Sequence, residues 1–181
     1  DLMYYRYVDF VVRTVGRDAR SVIDIGTANC PYLDWFEWIP TRVSFDEAPP
    51  YVSEGVVGIQ GDFLTHDFGR RFDLCLCLQV LEHVPDPSAF ARKLMSVSDM
   101  VIVSIPYKWG ENAVADHLHD PIDKTKLMGW FQQRPNYTIE VNEPFRALSR
   151  LIAIFCADPK RRFSKPELLQ RVKRKGVGPL A

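Results

Sequence analysis

The chain has 181 residues, 23 lysines and arginines against 23 aspartates and glutamates, and 46% hydrophobic residues. That describes one soluble globular domain, long enough to bury roughly 70% of what its unfolded chain exposes without disulfides or a structural metal. A formal net charge of zero excludes bulk electrostatics as the means of recruiting nucleic acid or a membrane surface, and no run approaches the ~18 apolar residues of a spanning helix. The opening residues form no signal pattern, so the expected location is cytoplasmic.

The predicted elements alternate short buried strands with helices, the signature of a parallel sheet with crossover helices. Leu2, Tyr5, Val8, Val12 and Val15 are spaced as one face of a helix. Ser21 to Ile25 is a short apolar strand ended by Gly26, and Pro31 starts a second helix, since proline is tolerated where helical amides have no partner. Strands follow at Arg42 to Phe45, Val56 to Gln60, Phe72 to Leu78 and Met100 to Ile105. The connections after Asp46 and after Gly61 are too short and too rich in proline or glycine for full helices, which predicts a sheet less covered on one face.

Asp86-Pro87 starts a helix with Phe90, Leu94 and Val97 on its buried side, and Asp123 starts another, with Ile122 stapled onto Leu127 and Trp130 and Phe131 extending the face. Tyr137 to Val141 and Leu148 to Cys156 are closing strands, an antiparallel pair around Asn142-Glu143-Pro144. Cys30, Cys75, Cys77 and Cys156 are scattered, and Cys75 and Cys77 sit two apart in an apolar run, pointing the same way along a strand. They read as small buried apolar residues, not as a zinc site, which wants a second paired set.

From Asp158 onward the composition turns basic, with a surplus of six positive charges that leaves residues 1–157 with the opposite surplus. The expected division is a folded domain over 1–157 and a basic helix and tail over 158–181, helical from Lys165 to Arg174. The tail is either a solvated face or a docking patch for an anionic partner.

The most informative stretch is Val22-Ile-Asp-Ile-Gly-Thr-Ala-Asn-Cys30: strand, tight glycine turn, helix start. A nucleotide-like ligand sits on such a turn because the backbone comes close and free amides point outward. Asp46 stands 20 residues after Gly26, where an acid reaches ribose hydroxyls. A dinucleotide fingerprint would need glycine at 28 and 31, which are Ala28 and Pro31, and no P-loop Gly-Lys-Ser/Thr occurs. Adenosine and ribose without a phosphate fit better.

These residues resemble class I S-adenosylmethionine-dependent methyltransferases, and more narrowly the group typified by ubiquinone and menaquinone biosynthesis methyltransferases. The resemblance runs from about Ser21 to Cys156. It rests on Val22-Ile-Asp-Ile-Gly26, Val43-Ser-Phe-Asp46, Gly61-Asp62-Phe63 and Phe72-Asp-Leu-Cys-Leu-Cys-Leu-Gln-Val-Leu-Glu-His-Val-Pro85, in that order. It implies a Rossmann-like α/β fold, with a mostly parallel seven-stranded sheet, an antiparallel closing strand and reduced helices between strands two, three and four.

It also implies S-adenosylmethionine as cofactor. Asp24, Gly26, Thr27 and Ala28 fall beside its methionine part, Asp46 (Glu47 in reserve) at the ribose, Asp62 and Phe63 at the adenine, and Leu78 and Gln79 at the methyl end. Where the family has Gly-x-Gly-x-Gly this chain has Gly26, Ala28 and Cys30; alanine is tolerated there if its backbone keeps a negative φ, and Cys30 crowds the helix entry further.

Methyl transfer to an alcohol or phenol also needs a base, and histidine suits that near neutral pH. The resemblance puts Glu82 and His83 beside the reaction site. His117 and His119, with Asp120, lie in the loop after the fifth strand, where Trp109 is placed to cover an aromatic or sugar ring. His117-x-His119-Asp120, with Glu82 or His83, has ligand types for a divalent metal, but two histidines and an acid without fixed spacing are a weak metal signature, and no metal is expected. The expected activity is methylation of a small hydroxylated acceptor, oxygen favoured. The alternatives are an idle cofactor-binding module acting through its basic tail, and methylation of RNA. Nothing in the sequence sets an oligomeric state.

Overall fold

The structure, a computed structural model, describes residues 2–111, 113–144 and 148–174. Helix α1 (Met3–Val15) precedes strand β1 (Ser21–Ile25), a 3-10 helix (Pro31–Phe36), β2 (Thr41–Asp46), β3 (Val57–Gln60) and β4 (Leu74–Leu78). Then come α2 (Pro87–Val97), β5 (Met100–Pro106), α3 (Lys124–Phe131), β6 (Tyr137–Asn142), β7 (Ser149–Cys156) and α4 (Lys165–Leu169). The seven strands form one sheet in the order β3-β2-β1-β4-β5-β7-β6, parallel except for β7, which runs antiparallel to both neighbours.

Every residue of β1, β4 and β5 is buried, which is why these strands read as unbroken apolar runs and not as alternations. The strand period still sorts their side chains. Ile23, Ile25, Val43, Phe45, Cys75, Cys77, Val101 and Val103 pack against α2 and α3, while Val22, Leu74, Leu76, Leu78 and Ile102 pack against α1 and the 3-10 helix. The four cysteines are free; Cys75, Cys77 and Cys156 are buried as expected, whereas Cys30 is only partly buried.

The helix starts follow their capping residues. Asp86 accepts from the Ala89 amide and Asp123 from the Lys126 amide, both through the side chain, and Ile122 and Leu127 share one core. Helix α1 has no cap of its own. The Met3 and Tyr4 amides donate to the Glu143 carboxylate, at 2.8 and 3.0 Å, across most of the chain.

Two expectations change. The helix predicted at Pro31 is a six-residue 3-10 helix. As expected, no helix separates β3 from β4; Phe45, Phe63, Phe68, Phe72 and Phe90 form a ring cluster there, with centroids 4.6–6.1 Å apart, and cover the face a crossover helix would occupy. The terminal helix ends at Leu169, not Arg174. Beyond it the chain is extended along α1: Val172 donates to the Arg13 carbonyl, and Arg174 pairs with Asp9 at 3.1 Å. The rest of the expected tail, 175–181, lies outside the described residues. Among the described residues no helix is long and apolar enough to cross a membrane.

Candidate functional site

The carboxyl ends of β1 to β5 bring most of the sequence candidates to one edge, where the strand order reverses between β1 and β4. The first turn is tied to its neighbour strand: Gly26 donates to the Phe45 carbonyl at 2.8 Å, and buried Thr27 turns its hydroxyl onto the Asp24 and Phe45 carbonyls. Gly26 has φ +76°, and a Cβ there would lie 2.4 Å from Val80 Cγ2, so only glycine fits. Ala28 does not keep a negative φ. It stands at +46°, in the left-handed region, held there by its amide donating to Asp46 Oδ2 at 2.7 Å.

Asp24 is fully buried on β1. Tyr32 donates to its Oδ2 at 2.5 Å, and Oδ1 has no hydrogen-bond partner among the described residues. Burial pushes its carboxyl up to about 7, the neighbouring Asp46 adding to the effect and the Tyr32 hydroxyl opposing it. Asp46 ends β2 with both oxygens on amides, of Ala28 and Ala48. Glu47 is exposed, and its carbonyl takes the Gln60 amide group. Asp62 is exposed after β3 and accepts from Leu64. Phe63 departs from expectation: its ring is 2% exposed and packs 4.6 Å from Phe90, so it supports the edge from behind.

Leu78 ends β4. Gln79 follows at φ +58°, its side chain bridging the Ser104 hydroxyl and Arg150. Ser104 in turn contacts the Tyr4 hydroxyl at 2.5 Å, and Arg150 lies over the rings of Tyr4 and Trp109. Tyr4, Arg150 and Glu143 went unnoticed in the sequence because no local pattern links residues so far apart.

Beside this network, Glu82 and His83 meet the loop after β5. Glu82 is 1% exposed, and neither carboxylate oxygen meets a donor from another residue. Burial raises it to about 8, with the charges of Asp120 and Asp116 adding to the effect and Arg150 opposing it. The Leu118 amide donates to the Glu82 carbonyl at 2.8 Å and fastens the loop over it. His117 Nδ1 is 2.6 Å from Asp120 Oδ2, and its ring stacks on Trp109 and meets His83 edge-on at 4.9 Å. His83 Nδ1 lies 3.2 Å from Asp116. His119 turns away: its Nε2 contacts the Val84 carbonyl and its ring packs on Trp130. The structure thus gathers Glu82, His83 and His117 and leaves His119 out.

No family model matches the sequence, and the curated proteins contain no match to it. Solved structures do match the fold. The Burkholderia thailandensis 1,6-didemethyltoxoflavin-N1-methyltransferase, bound to its substrate and S-adenosylhomocysteine, aligns with TM-score 0.63 at 16% identity over 81% of this chain and 75% of that one. The N-methyltransferase NodS of Bradyrhizobium japonicum, in complex with S-adenosylhomocysteine, aligns at 0.67 and 11% over 84% and 86%. The N-terminal domain of EvdMO1, crystallised in the presence of S-adenosylhomocysteine and D-fucose, aligns at 0.56 and 15% over 84% and 80%. The chain has the Rossmann-like, seven-stranded mixed fold of these methyltransferases.

Proposed function

We propose that the chain is an S-adenosylmethionine-dependent methyltransferase acting on a hydroxyl oxygen of a small acceptor, a sugar, a phenol or a secondary metabolite. The observation that carries this reading is the Gly26 turn, packed too closely on Val80 for any side chain, with Asp24, Asp46 and Asp62 spaced along the same strand ends. Neutral hydroxyls and a cationic methionine suit three acids there better than a diphosphate does. The unpartnered Asp24 oxygen is a buried acceptor facing a missing donor, as a bound ammonium would supply. The cofactor-bound neighbours, one crystallised with a sugar present, support the same assignment.

When bound, the cofactor supplies an electrophilic sulfonium methyl group. The chain's task is alignment, worth up to roughly 7 to 11 kcal/mol when two reactants are held in attack geometry. Trp109, with its indole N–H on the Ser149 carbonyl at 2.8 Å, gives a fixed ring for a sugar or aromatic acceptor to lie against. With the cofactor held there, an acceptor oxygen would be aligned to take the methyl carbon as the carbon–sulfur bond breaks and its electron pair stays on sulfur. We place departure of the hydroxyl proton beside the Glu82, His83 and His117 group, with His119 outside it on the Val84 carbonyl.

Calorimetry with S-adenosylmethionine and its demethylated product tests the cofactor half: micromolar binding is expected, weakened at least tenfold in Asp46→Ala. A labelled-methyl assay over sugar, phenol and amine panels tests the acceptor half. Absence of binding to either cofactor form refutes the proposal. Binding without transfer favours an idle module, and transfer to amines alone overturns the choice of oxygen. Two cations of the basic tail, Arg174 and Arg171, lie against Asp9 and the Phe10 ring, and a salt-dependent affinity for RNA would favour methylation of RNA instead.

A further inference from the structure

We propose that Glu82, His83 and His117 bind one divalent transition-metal ion of the zinc class, with an open coordination position for the acceptor oxygen. One donor atom from each of the three lies within 4.8 Å of the others. A tetrahedral site with bonds of about 2.1 Å has edges of roughly 3.4 Å, so an inward shift of about an ångström by the part-exposed His83 ring closes the set. Two imidazoles and one carboxylate are the donors of open, catalytic metal sites, in which a fourth position is left to water or substrate.

The surroundings are those of a ligand set. His117 has its Nδ1 on the Asp120 carboxylate at 2.6 Å, and His83 has its Nδ1 on the Asp116 carbonyl at 3.2 Å with a carboxylate oxygen of the same residue equally near. An Nδ1–H donated to a carboxylate or a backbone carbonyl fixes the tautomer and leaves the Nε2 lone pair free for a metal. Trp109 stacks on His117 and holds its plane. Glu82 is a buried carboxylate with no donor from another residue on either oxygen, a costly arrangement unless a cation completes it. Asp116 and Asp120 add negative charge around the same point, and His119, occupied by the Val84 carbonyl, is excluded from the set. The sequence offered His117-x-His119-Asp120 with Glu82 or His83 and expected no metal; the triplet keeps His117, takes both Glu82 and His83, and leaves out His119.

Only the role of the open position rests on the methyltransferase reading; ion binding does not. There the acceptor hydroxyl coordinates the ion, which lowers its pKa, and its proton passes to water on the exposed His83 side. The resulting oxygen attacks the methyl carbon and the departing sulfur keeps the bonding pair.

The test titrates protein freed of metal with Zn2+ by calorimetry and with Co2+ by visible absorption. One ion per chain is expected, with the intense d–d bands of a low-coordinate Co2+ site. His117→Ala and Glu82→Gln are expected to lose that binding, and Asp120→Asn to weaken it 10- to 100-fold. His66→Ala, outside the site, keeps it. Because Glu82 is buried and the His117 side chain is only 6% exposed, His83→Ala at the exposed ligand is the variant least open to misfolding, and it too is expected to weaken binding at least tenfold. No stoichiometric ion in the wild type, or binding unchanged in both His83→Ala and His117→Ala, overturns the proposal. Cofactor titrations on the same samples separate the two readings: cofactor without metal sinks the ion site alone, and metal without cofactor sinks the methyltransferase alone.

Discussion

Asp24→Asn is expected to stabilise the protein increasingly as pH rises, while weakening binding at the proposed cofactor site. In the folded protein the carboxyl sits near 7, against 3.8 when unperturbed, because it is wholly buried with a single donor, Tyr32. A folded pKa above the unfolded one means that the folded state holds a proton the unfolded state has released. The wild type is therefore favoured below about pH 4 and loses about 1.4 kcal/mol per pH unit up to about 7, where the loss levels off. A shift of about three units corresponds to roughly 4 kcal/mol, an upper figure if water relieves part of the burial.

Asparagine can still accept the Tyr32 hydrogen bond and does not titrate. Its amide adds a constant penalty of about 1–3 kcal/mol for an unpartnered buried donor, which leaves the pH slope alone. Urea unfolding of both proteins at half-unit steps from pH 4 to 8.5 gives the difference directly, and Glu82, common to both, cancels. The variant should gain several kcal/mol relative to the wild type across that range, with a plateau above 7. A difference that does not change with pH would refute burial of Asp24 as the source of the shift. In wild type alone, affinity for S-adenosylmethionine should fall as pH drops below 7, since a cationic ligand needs the ionised form.

Other substitutions separate local strain from charge. Gly26→Ala places a Cβ 2.4 Å from Val80 Cγ2 at φ +76°, so a loss of at least 2 kcal/mol in urea unfolding is expected, partly restored by adding Val80→Ala. Ala28→Gly runs the other way: relief of a left-handed alanine outweighs the added freedom of the unfolded chain, and about 0.5–1 kcal/mol of stabilisation should appear in the same assay. Arg13→Ala strips buried Asp9 of its nearest cation and a bond to the Trp35 carbonyl, which should cost about 3–5 kcal/mol. Arg174→Ala, at a side chain 47% exposed, should cost under about 1 kcal/mol, and equal effects of the two on the melting temperature would contradict this account of the tail.

What the sequence determined by itself is what depends on near neighbours along the chain. Buried parallel strands are continuous apolar runs, and Asp86 and Asp123 cap because a side chain reaches an amide three residues on; these elements were legible to within a residue or two. The same holds for the glycine turn and the three acids, since each sits at the end of its own strand. Other features needed the packed molecule. The φ of Ala28 is set by Asp46 on another strand, Phe63 is drawn inward by rings that replace a crossover helix, and the basic tail stops being helical where α1 offers Asp9 and a free carbonyl. The choice of His117 over His119 was likewise tertiary: two histidines two residues apart point differently once one finds Asp120 and the other the Val84 carbonyl. Periodicity and capping act within a few residues, whereas a buried carboxylate's partners are decided by which distant segments the sheet order brings to its edge.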